Sequence, residues 1–353
     1  MINGSMWEES KGPNLRDFDE EKKISAVNGA LMLRSEIEKT VDKIYEDGFD
    51  GIYFMGIGGT YASSMQVEVY MRGRSILPIY VENAAEFLTT GNKRFTEKSV
   101  LIYSSVSGNT KEMVELVKKV KSIGAKVFAF IDTPGSTLTD ESLRDYLITY
   151  PANEQLKFYM VANYLMYKNG EFEDYDEYNI QMEKYLAKAL VEVEKSVDTW
   201  AYEYAKNKVE FLNNHKDLPH YFIGSGNQYG ATYSYAMCYW EEQMWIRTKS
   251  VSCQEFFHGM QEIIVADTPV TLFIGEDEQR PLAERVAAFL PKVNGNYTII
   301  DTKEFPLEGI SEKFRGSLSH LVMRAVNARV DTYMELFLRH PLSIRRYYRQ
   351  FDY

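Results

Sequence analysis

Basic charge, cysteine and long apolar runs are all scarce in this chain, and each shortage excludes something. Lys and Arg number 40 against 51 Asp and Glu, a net charge of −11. That balance denies the chain the broad phosphate neutralisation on which nucleic-acid affinity rests, so no nucleic-acid partner is expected. An acidic chain can still hold one small phosphate in a local nest of N–H and hydroxyl donors. Two cysteines, Cys238 and Cys253, are too few for a disulfide framework and lack metal-ligand spacing; a reducing cytoplasm is the expected compartment. No apolar run approaches the roughly 20 residues that cross a bilayer, so no membrane partner is expected. Met1 to Arg16 is polar and mixed in charge, unlike a secretory signal. No Gly-Lys-Ser/Thr follows a glycine loop, so ATP is not implied.

What is present is a repeat. Tyr53-Phe54-Met55-Gly56-Ile57-Gly58 is answered by Tyr221-Phe222-Ile223-Gly224-Ser225-Gly226, 168 residues later. Each copy is an apolar run that breaks into a glycine turn and continues as a helical pattern. A strand, a glycine turn and a helix offer backbone N–H groups and a helix N-terminus to an anion. Neither copy completes G-x-G-x-x-G, so one alone would say little. Two at half-chain spacing predict an α/β protein of two tandem doubly wound parallel-sheet domains with flanking helices. A length of 353 residues suits two such domains.

The pattern places a helix over 20–48, with Ala26, Leu31, Ile37, Val41 and Ile44 on one stripe. Strands follow at 52–54, 77–81, 99–103, 125–131 and 145–149, with helices at 61–72 and 109–123. Residues 153–208 read as helical, interrupted at the acidic, Tyr-rich 171–178, and are expected to connect the halves. Further strands are expected at 221–223, 248–251, 270–274 and 296–300, and a long helix over 317–340. The domains are expected at 20–170, which binds phosphate, and at 190–353, which ends in a tail.

The two halves differ where it matters. After its third strand the first carries Ser104-Ser105-Val106-Ser107-Gly108-Asn109-Thr110; the second carries Gly275-Glu276-Asp277-Glu278-Gln279 after 270–274. Hydroxyls and helix-start N–H groups satisfy phosphate oxygens without a basic residue. A single N-cap would need one such residue, not four. Carboxylates would repel an anion, so phosphate is expected in the first half only. Gly59 and Thr60, at the first glycine turn, would form a second wall of that site.

The second half offers acid–base groups: Glu241 and Glu242 near a helix end, and His258 within Gln254-Glu255-Phe256-Phe257-His258-Gly259. Taken singly they would pass for a solvated helix end and a core histidine. Together, a carboxylate and a histidine in apolar surroundings can move protons. Trp240, Met244 and Trp245 would supply those surroundings for Glu242.

These residues carry a resemblance. Gly58-Gly59-Thr60-Tyr61, the loop Ser105 to Thr110, and the sixteen-residue spacing from Glu242 to His258 in E-F-F-H-G resemble the sugar isomerase (SIS) family. Within it the chain is similar to the isomerase half of glucosamine-6-phosphate synthase and to the fructosamine-6-phosphate deglycases. The ending His340-Pro341-Leu342-Ser343-Ile344-Arg345-Arg346-Tyr347-Tyr348, with Asp352-Tyr353, looks like the deglycase branch.

The resemblance implies a sugar-phosphate substrate held by Thr60, Ser105, the Val106 backbone, Ser107 and Thr110, beside Gly59 and Asn109. It implies Glu242 as the base between sugar carbons C1 and C2, and His258 as the acid/base at the ring oxygen or leaving group. It also implies a homodimer with active sites at the interface, the histidine often coming from the partner chain. Thr60 stands where the family usually has serine, Val106 where the synthase has glutamine, and the synthase's tail lysine has no counterpart. No glutaminase domain is expected ahead of the repeat.

The expected reaction is cleavage of a ketosamine 6-phosphate, a sugar joined to an amino acid, to a hexose 6-phosphate and a free amine, with no metal and no redox cofactor. An aldose–ketose phosphosugar isomerase would need the same base and phosphate site. A non-catalytic sugar-phosphate sensor would retain the phosphate site alone; such sensors commonly carry a DNA-binding segment, for which residues 1–20 are too short and too acidic. The cluster Arg345, Arg346 and Arg349 with Tyr347 and Tyr348 is either a solvated end or a tail that offers cations to an anionic substrate.

Overall fold

The computed structural model describes residues 15–348, 350 and 351. Most of the polar Met1–Arg16 segment, together with Arg349, Asp352 and Tyr353, lies outside the described residues. The chain divides into two compact units: an N-terminal one of Ile24–Glu183, and a C-terminal one of Lys184–Tyr353 with the segment ending at Lys23.

In the N-terminal unit, α1 (Glu20–Leu31, which begins just before the division) and α2 (Arg34–Asp47) lead into the sheet. There follow β1 (Gly51–Gly56), α3 (Gly59–Arg72), β2 (Ile79–Asn83), α4 (Ala84–Thr90), β3 (Ser99–Ser105), α5 (Lys111–Ile123), β4 (Lys126–Ile131) and β5 (Tyr146–Thr149). The unit closes with α6 (Glu154–Lys168) and α7 (Tyr175–Gln181). The five strands pair in parallel in the order β2-β1-β3-β4-β5. Every residue of β1 and β3 is buried, as a parallel strand covered on both faces requires. On α5, Met113, Leu116, Val117 and Val120 recur at helical spacing and face the core.

The C-terminal unit holds α8 (Ala187–Ser196), α9 (Asp198–Asn214), β6 (His220–Gly224), α10 (Asn227–Ser234), β7 (Thr248–Ser252) and α11 (Cys253–Phe256). It continues through β8 (Val270–Ile274), α12 (Arg280–Phe289), β9 (Tyr297–Asp301), α13 (Glu312–Arg315) and α14 (Ser319–Leu338). Its sheet runs β7-β6-β8-β9, again parallel throughout. That is the order of the first sheet without its last strand, so each glycine turn of the repeat ends the strand where the connections change direction. In open parallel sheets this is where ligands bind.

Three stretches depart from the sequence pattern. The helix expected over 20–48 breaks at Met32 and Leu33, with Met32 turned outward, although neither glycine nor proline marks the place. The stretch 153–208 is not a connection: α6 is buried at every position from Leu156 to Met166 and belongs to the N-terminal unit. The helix after the second glycine turn changes to π-helical spacing over Tyr235–Glu241. No helix among the described residues is long and apolar enough to cross a membrane.

Candidate active site

The predicted phosphate residues leave the C-terminal ends of the neighbouring strands β1 and β3. Gly108 takes φ +63°, and a Cβ there would strike Ser136, so only glycine lets the serine loop turn this tightly. Inside the loop the hydroxyls accept rather than donate. Ser105 Oγ accepts the Gly108 N–H at 3.0 Å, and Ser107 Oγ accepts the Asn109 N–H at 3.2 Å. Their own protons remain for an anion. Thr110 is the N-cap of α5 but makes no capping hydrogen bond, which leaves its hydroxyl available too.

Asn109 has a different part. Its side-chain carbonyl accepts from the Thr137 N–H and hydroxyl at 3.0 and 2.7 Å, and its amide donates to Ser107 O. It braces the loop. Val106 projects outward, 62% exposed, while its carbonyl accepts from Thr133. Thr60 closes the glycine turn: its hydroxyl accepts the Ile57 N–H at 3.1 Å and donates to Ile57 O at 3.0 Å. Gly59 opens α3 beside it.

The same corner of the C-terminal unit is filled by the protein's own acid. Asp277 Oδ2 accepts the Asn227 N–H at 2.7 Å, and Gln279 Oε1 accepts the Gly226 N–H at 3.0 Å. Gly226 takes φ +59° and packs so closely on Asp277 that a Cβ would collide with the carboxylate. Glu276 is held by Arg315 at 2.8 Å. The donors of the second glycine turn therefore already have their anion.

Glu242 follows the π-helical segment, its N–H reaching five residues back to Met237 O at 3.0 Å. π-Helical turns cost hydrogen-bond geometry and concentrate at functional positions. Of the apolar surroundings expected for Glu242, only Trp245 shares its cavity. Trp240 and Met244 point into the core, 0% and 4% exposed, whereas the Glu242 side chain is 31% exposed and accepts from Arg345 Nε at 2.7 Å. Glu241 is exposed and takes the Thr248 hydroxyl at 2.7 Å. A cavity of about 600 Å³ adjoins both glutamates, walled by Trp245, Thr248 and the tail from Arg345 to Tyr348. The sequence offered the tail as a basic cluster but had no means of showing which arginine meets Glu242.

His258 lies in the turn after α11, exposed, with its N–H on Glu255 O at 3.0 Å. Among the described residues no hydrogen bond joins it to Glu242. The chain segment between the two is β7 with α11. No group of three or more His, Cys, Asp or Glu among the described residues could hold a metal ion.

Comparison with known proteins bears on the fold. Residues 50–167 match the SIS domain family. The chain is 28% identical to the fructosamine deglycase FrlB of Bacillus subtilis (strain 168) over 329 residues, covering 90% of this chain and 97% of that one. It is 23% identical to the fructoselysine 6-phosphate deglycase of Escherichia coli (strain K12) over 317 residues, 88% of this chain and 89% of that one. A crystal structure from Salmonella typhimurium LT2, solved as that of a phosphosugar isomerase, superposes with a TM-score of 0.84 at 22% identity, over 91% of this chain and 97% of that one. The chain shares the fold of that structure.

Proposed function

We propose, for a chain whose residues 50–167 form a SIS domain, that it is an enzyme acting on phosphorylated sugars, and specifically a deglycase of ketosamine 6-phosphates. The observation that carries the finer reading is Glu242: a carboxylate beside a 600 Å³ cavity, in a chain similar over nearly its whole length to a fructosamine deglycase. The substrate phosphate sits on the Ser105–Thr110 loop, where the Ser105, Ser107 and Thr110 hydroxyls and the start of α5 supply donors. Asn109 holds that loop in shape, and Gly59 and Thr60 form the facing wall.

Chemistry then follows from the substrate. The ketosamine opens to its C2 ketone, and Glu242 removes a proton from C1 to give an enaminol. Return of that proton to C2 leaves an imine at C1, which water hydrolyses to the aldose 6-phosphate and the free amine. His258 handles the proton of the ring oxygen and of the departing nitrogen. Its exposure suits a histidine that serves the active site of a second copy in a homodimer.

The test is product analysis. Incubation with fructosamine 6-phosphates should release hexose 6-phosphate and amine in equal amounts. Interconversion of aldose and ketose phosphates without amine release would make the chain an isomerase instead.

A further inference from the structure

The cavity beside Glu242 is walled by five charged side chains, and among the described residues their pairings leave one cation over. Arg345 is taken by Glu242 at 2.7 Å, Arg247 by Asp217 at 2.6 Å, and Glu241 by the Thr248 hydroxyl. Arg346 forms no ion pair among the described residues. Its guanidinium lies 4.1 Å from the centre of the Trp245 ring. Stacked this way, a guanidinium keeps its N–H edge free for a planar, two-oxygen acceptor.

The platform under it is fixed. Trp245 holds a left-handed backbone at φ +59°, a costly conformation for a bulky side chain. Its ring packs 4.0 Å from that of His340, whose Nε2 meets Gln243 O at 2.9 Å. Strain accepted at a tryptophan that carries an unpaired arginine over a cavity is the pattern of a binding subsite.

The chemistry of the substrate says which group reaches it. The proposed base works at C1 and C2, the phosphate is on C6, and the amine is on C1. What lies next to Glu242 beyond C1 is therefore the substituent of the amine. We propose that Arg346, displayed on Trp245, is the residue that binds the carboxylate of the substrate's amino-acid moiety, and that this one side chain sets the preference for ketosamine 6-phosphates made from amino acids over those made from simple amines. This rests on the deglycase reading, and it separates the tail arginines: Arg345 attends the base, Arg346 the leaving group.

The test uses two substrates that differ by one charge, the fructosamine 6-phosphates of glycine and of glycinamide. The full chain should prefer the glycine compound in kcat/KM by about 10- to 100-fold, the worth of one charge-assisted pair. Arg346→Met should erase that preference while leaving the glycinamide compound within about threefold, and Arg346→Lys should keep part of it. Equal losses on both substrates, or an unchanged preference, would overturn the subsite. If the native chain cleaves neither compound, the deglycase reading fails, and calorimetric binding of the same two ligands decides the subsite alone. Tighter binding of the glycine compound that Arg346→Met abolishes upholds it; equal binding sinks it.

Discussion

The carboxylate of Asp277 accepts the backbone N–H of Asn227 at 2.7 Å, and so occupies in one half of the molecule the corner that the other half lines with hydroxyls. The duplicated glycine turn has two fates. In the N-terminal unit the loop from Val106 to Thr110 carries no carboxylate; in the C-terminal unit the loop folds its acid onto the helix start.

Asp277 should accordingly act on stability and not on phosphate affinity. Asp277→Ala removes a charged acceptor from Asn227 N and from Gln279 N, and caps of this kind are worth about 0.5–2 kcal/mol. Denaturant unfolding should show a loss in that range, with KM for the phosphorylated substrate unchanged. A large rise in KM would mean that the second glycine turn takes part in binding after all.

Ser107 should show the reverse. Its hydroxyl accepts from the Asn109 N–H and keeps its proton for the substrate. Ser107→Ala should raise KM by roughly 10- to 100-fold, since a hydrogen bond to a charged group is worth about 1.5–3 kcal/mol. Stability should barely move, because the loop remains braced by Asn109 on Thr137.

How much of this was legible in the sequence depends on the range of the interaction. The strands and their glycine turns were legible, because a buried parallel strand writes itself as an unbroken apolar run such as Val100 to Tyr103. The hydroxyl-rich and carboxylate-rich loops were legible as a chemical contrast. That Asp277 reaches back fifty residues to Asn227 was not, since no local pattern encodes a contact between two loops. Nor was the π-helical spacing before Glu242, because the six apolar and aromatic residues from Tyr235 to Trp240 suit an α-helix equally well. The Arg345–Glu242 pair spans 103 residues and lies in a tail whose composition is also that of a solvated end.

Lys208 sets a pH dependence of stability. It is buried over the Tyr204 and Phe211 rings, near the buried His220, and burial lowers its pKa to about 8 from an ordinary value of 10.5. Below pH 8 the fold carries the whole cost of a buried ammonium. Between the two values the unfolded chain binds the proton and the folded one does not, so this group makes stability rise with pH there. Lys208→Met should therefore be the more stable protein at neutral pH, by up to roughly 3 kcal/mol at 1.36 kcal/mol per unit. Melting curves should show its advantage shrinking as pH climbs from 8 towards 10.5. A gap that stays constant over that window would mean that Lys208 does not titrate in it.

The division of labour at the helix end can be tested on three neighbours. Glu242→Gln should cost far more in kcat than in KM, at least about 10²-fold, because proton abstraction from carbon is made only in the transition state. Glu241→Gln should be mild: that carboxylate turns to Thr248, and a carboxamide oxygen can still accept from the hydroxyl. Arg345→Met should fall between them. The guanidinium holds the Glu242 carboxylate in place from Nε at 2.7 Å while Nη1 donates to the Leu342 and Ile344 carbonyls, so its loss frees both the base and the tail. Its kcat should drop with KM little changed, and Arg345→Lys should restore only part, since one ammonium cannot reproduce the fork that spans the carboxylate and two carbonyls. Steady-state kinetics on a fructosamine 6-phosphate will order the three. Should Glu241→Gln abolish turnover while Glu242→Gln leaves it intact, the base has been assigned to the wrong carboxylate, and the role given to Arg345 falls with it.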